Sequence, residues 1–393
     1  MSTNTLNILI TGGRAPVALD LARNLHASEH SIYIAESLKT NLCRHSKSVT
    51  KSFLVSKPNT DERSFISEII QLINDYGISL LIPTCEETFY ISKYKEKIEQ
   101  ATNAKLFVDE LEKLKVLHNK YTFIQKVKEC GLSTPATFMV DSQEGLLNVL
   151  GSSFAYKTKL VLKPVYSRFG SKVKIFENTK DTAFKIIISE SNPWVIQRYI
   201  EGEQICTYSI CIGGEIRAYS AYKSSFRTGI GASINFESVM DRDIFDWVSD
   251  IVRKLDFTGQ ISFDLIKTQD GGIYPIECNP RTTSGLHLVS RRYALQDAFL
   301  NIKSETALAR ENEKAMLLLP MFLFGGFNIR KLSDIRKWFA VIRDSKEVVF
   351  SFGDMKPFLN QVNSFINLVY ISIRKGISIT EASTCDIEWN GDL

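Results

Sequence analysis

The chain has 393 residues, 44% of them hydrophobic and 23% charged, the balance of an ordinary globular protein and more chain than one core usually serves, so two or three packed units are expected. A formal charge of +4 with no polybasic block gives no ground for a nucleic-acid partner. Seven scattered cysteines without a CxxC pair speak for a reducing compartment and against a disulfide scaffold or a zinc site. The start lacks a signal-peptide pattern, and the longest apolar run, residues 316–327, is short and broken by Pro320 and a glycine pair. A cytoplasmic chain with no membrane partner is the expectation.

In chain order, residues 6–10 form an apolar strand, Gly12-Gly13 a tight turn, residues 17–26 an amphipathic helix and residues 31–35 a second strand. This is a βαβ unit and predicts a parallel sheet. The glycines lack GxGxxG spacing and read as a strand-to-helix turn rather than a dinucleotide site. A helix over 64–76 leads to a strand over 79–83, and Glu86 and Glu87 follow at its carboxyl end, where open α/β sheets bind ligands. Either carboxylate suits a substrate cation, and either suits a helix N-terminus. Two short helices, 109–118 and 119–130, end at Gly131. Residues 205–211 and 215–223 flank Gly213-Gly214 as a hairpin. Beyond residue 291 a helix is expected over 332–342, and the polar end, 385–393, carries no chemistry that the sequence names.

The chemistry concentrates between residues 260 and 285. Two strand-like stretches, 260–268 and 273–279, enclose the turn signal Gln269-Asp-Gly-Gly272. A hairpin centred there pairs Thr268 with Ile273 and, stepping back, Asp264 with Glu277. Phe263, Leu265, Ile276 and Cys278 then form an apolar face, and Ser262, Asp264, Glu277 and Asn279 the other. Two carboxylates opposite one another, about 5 Å apart at Cβ, repel and call for a cation. Two acids and the Asn279 amide are an oxygen set suited to Mg²⁺. Lys163 is a lone charge at the end of an apolar strand, costly there unless an anion meets it.

The stretch Glu277-Cys-Asn279-Pro-Arg281, with Asp264 upstream and Lys163 before it, resembles the second magnesium-binding strand of the ATP-grasp superfamily. The resemblance spans residues 7–290 and is nearest to carboxylate-amine ligases with a carbamoyl-phosphate-synthetase large-chain architecture. It implies a mixed α/β and α+β fold: a Rossmann-like pre-ATP domain (1–110), an ATP-grasp domain in two halves (111–193 and 194–290), and a C-terminal extension packing on the core (291–393). It also implies ATP and Mg²⁺, with Mn²⁺ as a substitute, small-molecule carboxylate and amine substrates, and a homodimer as the candidate assembly.

The resemblance implies residue roles as well. Lys120 and Lys163 match the nucleotide lysines. The flap over the phosphates is residues 166–171, offering Ser167, Arg168, Gly170 and Ser171. Adenine falls to Gln197, Arg198, Tyr199 and Ile200, and ribose to Glu203 or Gln204, a glutamine standing where an acid is common. Asp264, Glu277 and Asn279 take the metal. Lys163, Arg227 and Arg281 serve phosphoryl transfer. Glu86, Glu87, Arg227, Arg281, Ser284, Gly285 and His287 face substrate. The activity implied is ADP-forming coupling of a carboxylate, activated as acyl phosphate, to an amine. The alternatives are a bicarbonate enzyme working through carboxyphosphate and a non-catalytic ATP-binding module.

Overall fold

The computed structural model describes residues 5–152, 154–155, 157–168, 170, 172–177, 186–228, 231–290, 293, 295–302 and 305–391. Strands β1 (Asn7–Thr11), β2 (Ser31–Glu36), β3 (Lys51–Leu54), β4 (Leu80–Ile82) and β5 (Lys105–Leu106) form a parallel sheet of order β3-β2-β1-β4-β5. Helix α1 (Pro16–Ala27) crosses from β1 to β2 and α2 (Glu62–Asp75) from β3 to β4, as the apolar periodicities predict. The central strands are hydrophobic throughout because both sheet faces are covered. In β1, Ile8 and Ile10 enter the core that holds Leu19 and Leu25 of α1, while Leu9 enters the core that holds Phe65 and Ile69 of α2.

Helices α3 (Glu87–Lys93), α4 (Lys95–Ala101), α5 (Leu111–His118) and α6 (Lys120–Glu129) follow. Next come β6 (Thr137–Val140), α7 (Gln143–Leu150), β7 (Lys159–Pro164), β8 (Lys174–Glu177) and β9 (Trp194–Arg198), whose strands form a four-stranded sheet of order β6-β9-β7-β8. Trp194–Arg198 therefore belongs to this sheet and not to the larger one. This sheet has its own small core around Leu146, Leu160, Leu162 and Ile196.

The larger sheet is built on β10 (Glu203–Ile212) and β11 (Glu215–Lys223), which form the expected hairpin. The short strands β12 (Arg227–Thr228) and β13 (Ala232–Ser233) pair outside it. Strands β14 (Asn235–Val239), β15 (Gly259–Lys267) and β16 (Ile273–Asn279) join it, as do β17 (Ala307–Leu308), β18 (Lys314–Met316) and β19 (Lys346–Glu347). Helix α8 (Arg242–Lys254), capped by Asp241, buries Ile244, Trp247, Val248 and Ile251, with Trp247 edge-on to Phe263. Both large cores run from the parallel sheet into this one: Phe263 and Leu265 share a cluster with Leu9, and Tyr208 and Phe236 share one with Ile8.

The remainder is mainly helical: α9 (Leu286–Val289), α10 (Gln296–Leu300), α11 (Leu318–Leu323), α12 (Leu332–Asp344), α13 (Lys356–Lys375) and α14 (Ile379–Ala382). Along α13 the exposed large apolar side chains are Leu359, Val362, Ile366, Tyr370 and Ile373, while Asn360 and Gln361 are buried. Among the described residues no helix is long and apolar enough to cross a membrane.

The polar C-terminal end returns to the carboxyl edge of the parallel sheet. Arg14 follows the Gly12-Gly13 turn, is anchored on Glu36 at the end of β2, and reaches Asp386 at 2.6 and 2.8 Å. Asp386 also accepts from Ser37 Oγ at 2.6 Å. The arginine thus fills the crevice beside the glycine turn, where a Cβ at Gly12 would lie 2.6 Å from Thr84 Oγ1. Asp386→Ala leaves Arg14 paired with Glu36 but removes two charge-assisted hydrogen bonds and the Ser37 bond, so it is expected to cost on the order of 3 kcal/mol in urea denaturation; a loss below about 0.5 kcal/mol, the level of an ordinary surface substitution, would show that the tail does not hold the fold.

Candidate active site

The hairpin of β15 and β16 sets Asp264 opposite Glu277, Phe263 opposite Cys278 and Ser262 opposite Asn279, the pairs expected from the sequence. Nearer the turn the register differs from expectation: Leu265 faces Pro275 and Lys267 faces Ile273. Ile276 is an extra residue on β16, a bulge that leaves Pro275 rather than Ile276 on the buried face. The bulge also turns the Ile276 carbonyl out of the ladder. That oxygen accepts from Lys163 Nζ at 2.8 Å.

Lys163 ends β7 and is buried, with Nζ also donating to Gln197 Oε1 at 3.1 Å. Burial and the neighbouring Lys120 pull its ammonium down to about 8, against the upward pull of Glu277 and Asp264. Lys120 is the first residue of α6, whose cap Asn119 accepts from the amides of Tyr121 and Thr122. The cap fixes the chain so that Lys120 enters the interior, where Nζ donates to the Ser167 carbonyl at 3.0 Å and lies 3.7 Å from Glu277 Oε1. Burial, then Glu277, push the Asp264 carboxyl up to about 6, while Cys206, Arg227 and Lys163 pull it down. Arg281 donates to Asn279 Oδ1 at 3.2 Å and to the Thr282 carbonyl at 3.1 Å. Two ammonium groups, two carboxylates, an amide and a guanidinium therefore converge on one end of the hairpin.

Other expected site residues lie elsewhere or are already engaged. Arg168 forks onto Glu86 and also donates to Asn390 Oδ1 at 2.7 Å and the Trp389 carbonyl at 2.6 Å. Both expected site residues are thus engaged within the chain, Arg168 with Glu86 and the tail, and Glu86 with an internal cation. Burial works against the Glu86 charge, yet Arg168 holds its carboxyl down at about 2. Glu87 is buried under the sheet edge, accepting from Thr11 Oγ1 at 2.7 Å and the Cys85 amide at 2.9 Å, so it does not face the cleft; burial pushes its carboxyl up. His287 is likewise inside, with Nδ1 2.7 Å from Asp20 Oδ2, tying α9 to α1.

Gly285 is needed for packing, since a Cβ there would lie 2.5 Å from Tyr208 Cβ, and its carbonyl accepts from Ser220. The Ser284 carbonyl takes the His287 amide. Glu203 pairs with Lys223 at 2.6 Å, and Gln204 is the next residue of the same strand. The amides of Arg198 and Tyr199 donate to Ala136 and Lys159 carbonyls, so of the three expected hinge amides only that of Ile200 is not engaged in these sheet bonds. Gly170 adopts φ 61°, which favours glycine, and Ser171 lies outside the described residues. Arg227 stands on β12, close enough to lower the Asp264 carboxyl.

Sequence reasoning missed the bulge carbonyl of Ile276, the Cys206 thiol hydrogen-bonded to Asp264, and the tail residues Trp389 and Asn390. Trp389 stacks on Phe89 at 5.8 Å and its amide donates to Glu86. A tryptophan within a polar terminus is the one signal that could have marked this segment as buried.

The described residues hold no cluster of three His, Cys, Asp or Glu side chains suited to a metal. The two acids and the Asn279 amide fit a divalent ion only as a partial shell, the rest coming from a bound anion. Their mutual repulsion gives a test. Asp264 binds its proton more tightly folded than unfolded, so its stabilising contribution is complete below its ordinary value of 3.8 and is lost as pH rises through about 6. In chelator at pH 8, Asp264→Asn should be more stable than the natural chain by on the order of 2 kcal/mol in urea, and this pH dependence should vanish. A less stable variant would mean that the folded chain does not penalise the Asp264 charge.

Residues 117–285 match the ATP-grasp domain family. A curated relative, the uncharacterized protein MJ0776 of Methanocaldococcus jannaschii, is 24% identical over 264 residues, and the match takes in 64% of this chain and 64% of the relative's length. Among solved structures, the ADP complex of purK, N5-carboxyaminoimidazole ribonucleotide synthetase, superposes with a TM-score of 0.62 at 13% identity, over 79% of this chain and 80% of that one. The L-amino acid ligase of Bacillus licheniformis gives 0.58 at 15%, over 76% and 75%. The biotin carboxylase domain dimer of Hydrogenobacter thermophilus 2-oxoglutarate carboxylase, complexed with MgADP, ADP and bicarbonate, gives 0.61 at 12%, over 79% and 74%.

Proposed function

We propose that this ATP-grasp protein is an ADP-forming ligase that activates a small carboxylate as acyl phosphate and couples it to an amine. The observation that carries the reading is the convergence of buried Lys120 and Lys163 on the Asp264–Glu277 hairpin. Such an arrangement is costly for an isolated protein and suits a polyanion with a divalent ion.

A carboxylate oxygen is too poor a leaving group for an amine to displace. In the proposed sequence a substrate carboxylate oxygen attacks the γ-phosphorus of ATP and ADP departs; the amine nitrogen then attacks the acyl carbon, phosphate departs, and the nitrogen loses a proton. Lys120 and Lys163 hold the phosphates, and an anion there restores Lys163 to its full charge. Arg281 and Arg227 present planar forks to the transferring phosphoryl or the substrate carboxylate. Gln197 and the chain around Ile200 face adenine, and Gln204 the ribose. Asp264, Glu277 and Asn279 would hold Mg²⁺, or Mn²⁺ in its place, which supplies positive charge against the acids and the phosphates.

Amine coupling is favoured by the likeness to an L-amino acid ligase, and a carboxyphosphate route by the likeness to a carboxylase domain crystallised with MgADP and bicarbonate. Incubation with ATP, Mg²⁺, hydroxylamine and pools of organic acids separates them. Hydroxamate together with ADP supports the ligase; ADP formation dependent on bicarbonate alone supports the second route. Nucleotide binding without turnover in any pool would mean a non-catalytic module. Glu277→Gln should lower turnover by at least about a hundredfold with no loss of melting temperature; a wild-type rate would remove Glu277 from the site.

A homodimer has a candidate surface in α13, where Leu359, Val362, Ile366, Tyr370 and Ile373 are 54–77% exposed along one uncharged stripe. At on the order of 100 Å² each, and with exposed Phe352 and Met355 alongside, they approach the ~800 Å² per partner of a standard interface. A stripe without charge is complementary to a second copy of itself. Light scattering is expected to give a dimer that Ile366→Asp converts to monomer, and a monomeric natural chain would exclude this surface.

A further inference from the structure

The C-terminal tail does more than fasten the two domains. A cavity of about 210 Å³ opens between the segment after β7 and the tail, whereas the crevice beside Arg281 and that beside the Gly12 turn each offer about 10 Å³. The cavity wall is polar: Ser167 and Arg168 on one side, Asn192 below, and Thr384, Glu388 and Asn390 from the tail. Ser167 joins it to the site described above, since the carbonyl of that residue takes Lys120, itself 3.7 Å from Glu277.

The charge on the wall decides what the cavity takes. Arg168 is already neutralised by buried Glu86. The remaining charged lining residues are Glu381 and Glu388 against Lys172, which leaves one negative charge in excess. Glu381 is committed to the cap of α14, accepting from Ser378. Glu388 accepts from Thr384 Oγ1 at 3.0 Å through Oε1, while Oε2 lies 3.8 Å from Arg168 Nη1, beyond hydrogen-bond length, with the side chain 22% exposed.

We infer that the C-terminal tail builds the pocket for the amine substrate, a small polar molecule whose primary ammonium lies against Glu388 and whose other polar groups meet Asn192 and Asn390. This rests on the ligase reading, in which an amine must approach the acyl phosphate from outside the nucleotide site. The preceding flap contributes through Arg168, whose contacts with Trp389 and Asn390 hold the wall in place.

Saturation-transfer NMR on the full chain with a mixture of the common amino acids and linear polyamines tests the pocket without needing turnover, and a separate titration reads MgATP affinity. At least one primary amine is expected to bind the natural chain. Glu388→Gln should weaken it about tenfold or more, Glu388→Asp less, and Thr384→Trp, which fills the cavity, should abolish it, with MgATP affinity within about twofold in each. Binding that survives both Glu388→Gln and Thr384→Trp, or no amine binding at all, overturns the inference. Amine binding lost in Glu388→Gln but no hydroxamate from the natural chain would sink the ligase reading and leave the pocket standing. Hydroxamate formation with amine binding indifferent to Glu388 would do the reverse.

Discussion

Two acids held face to face across a hairpin are the constraint around which this chain is arranged. Asp264 and Glu277 cannot relax apart, because each sits in a ladder whose opposite face, Phe263, Leu265 and Cys278, is fixed in a core shared with the parallel sheet. Their repulsion is part of the folded state. Lys120 offsets some of it at 3.7 Å from Glu277, and Lys163 is held near them by the bulge carbonyl of Ile276. Neither lysine closes a short ion pair with either acid, so the group retains separated charges of both signs.

The cations at this site are buried where side chains of their kind ordinarily are not. Each is admitted by a specific local device. Asn119 caps α6 and so turns its first residue inward, and the bulge in β16 supplies the carbonyl that Lys163 needs. Both devices spend hydrogen bonds that do not strengthen the core, a pattern expected where a site must stay ready for a charged ligand.

The tail shows a second use of buried charge. Arg14 follows β1 of the parallel sheet and Arg168 follows β7 of the four-stranded sheet, yet both meet the last ten described residues, through Asp386 and through Trp389 and Asn390. Glu86 joins the second group to the parallel sheet. Because each arginine is neutralised by a carboxylate from the N-terminal domain and also reaches the tail, the domains, the flap segment and the terminus are fixed relative to one another by a few charge-assisted hydrogen bonds.

The strands and the place of the hairpin turn were legible because they depend on local periodicity and turn residues, whereas the order of lysines before acids was implied by the family resemblance. The Lys267–Ile273 pair stepped back without a bulge would set Asp264 opposite Ile276, so the neighbouring strands follow from the turn but the opposition of the two acids does not. Nor does the one-residue bulge between them and the turn, since nothing in Pro275-Ile276 distinguishes a bulged from a regular strand before Lys163 arrives from another sheet. The resemblance implies that Glu86, Glu87 and His287 face substrate, and no local pattern reveals the partners each has more than 70 residues away: Arg168, Thr11 and Asp20. The hairpin that carries the two acids was thus determined by the sequence itself. Which charges are spent inside and which remain for a ligand was decided only by tertiary structure, because the energy of a buried charge depends on what the rest of the chain brings within a few ångströms of it.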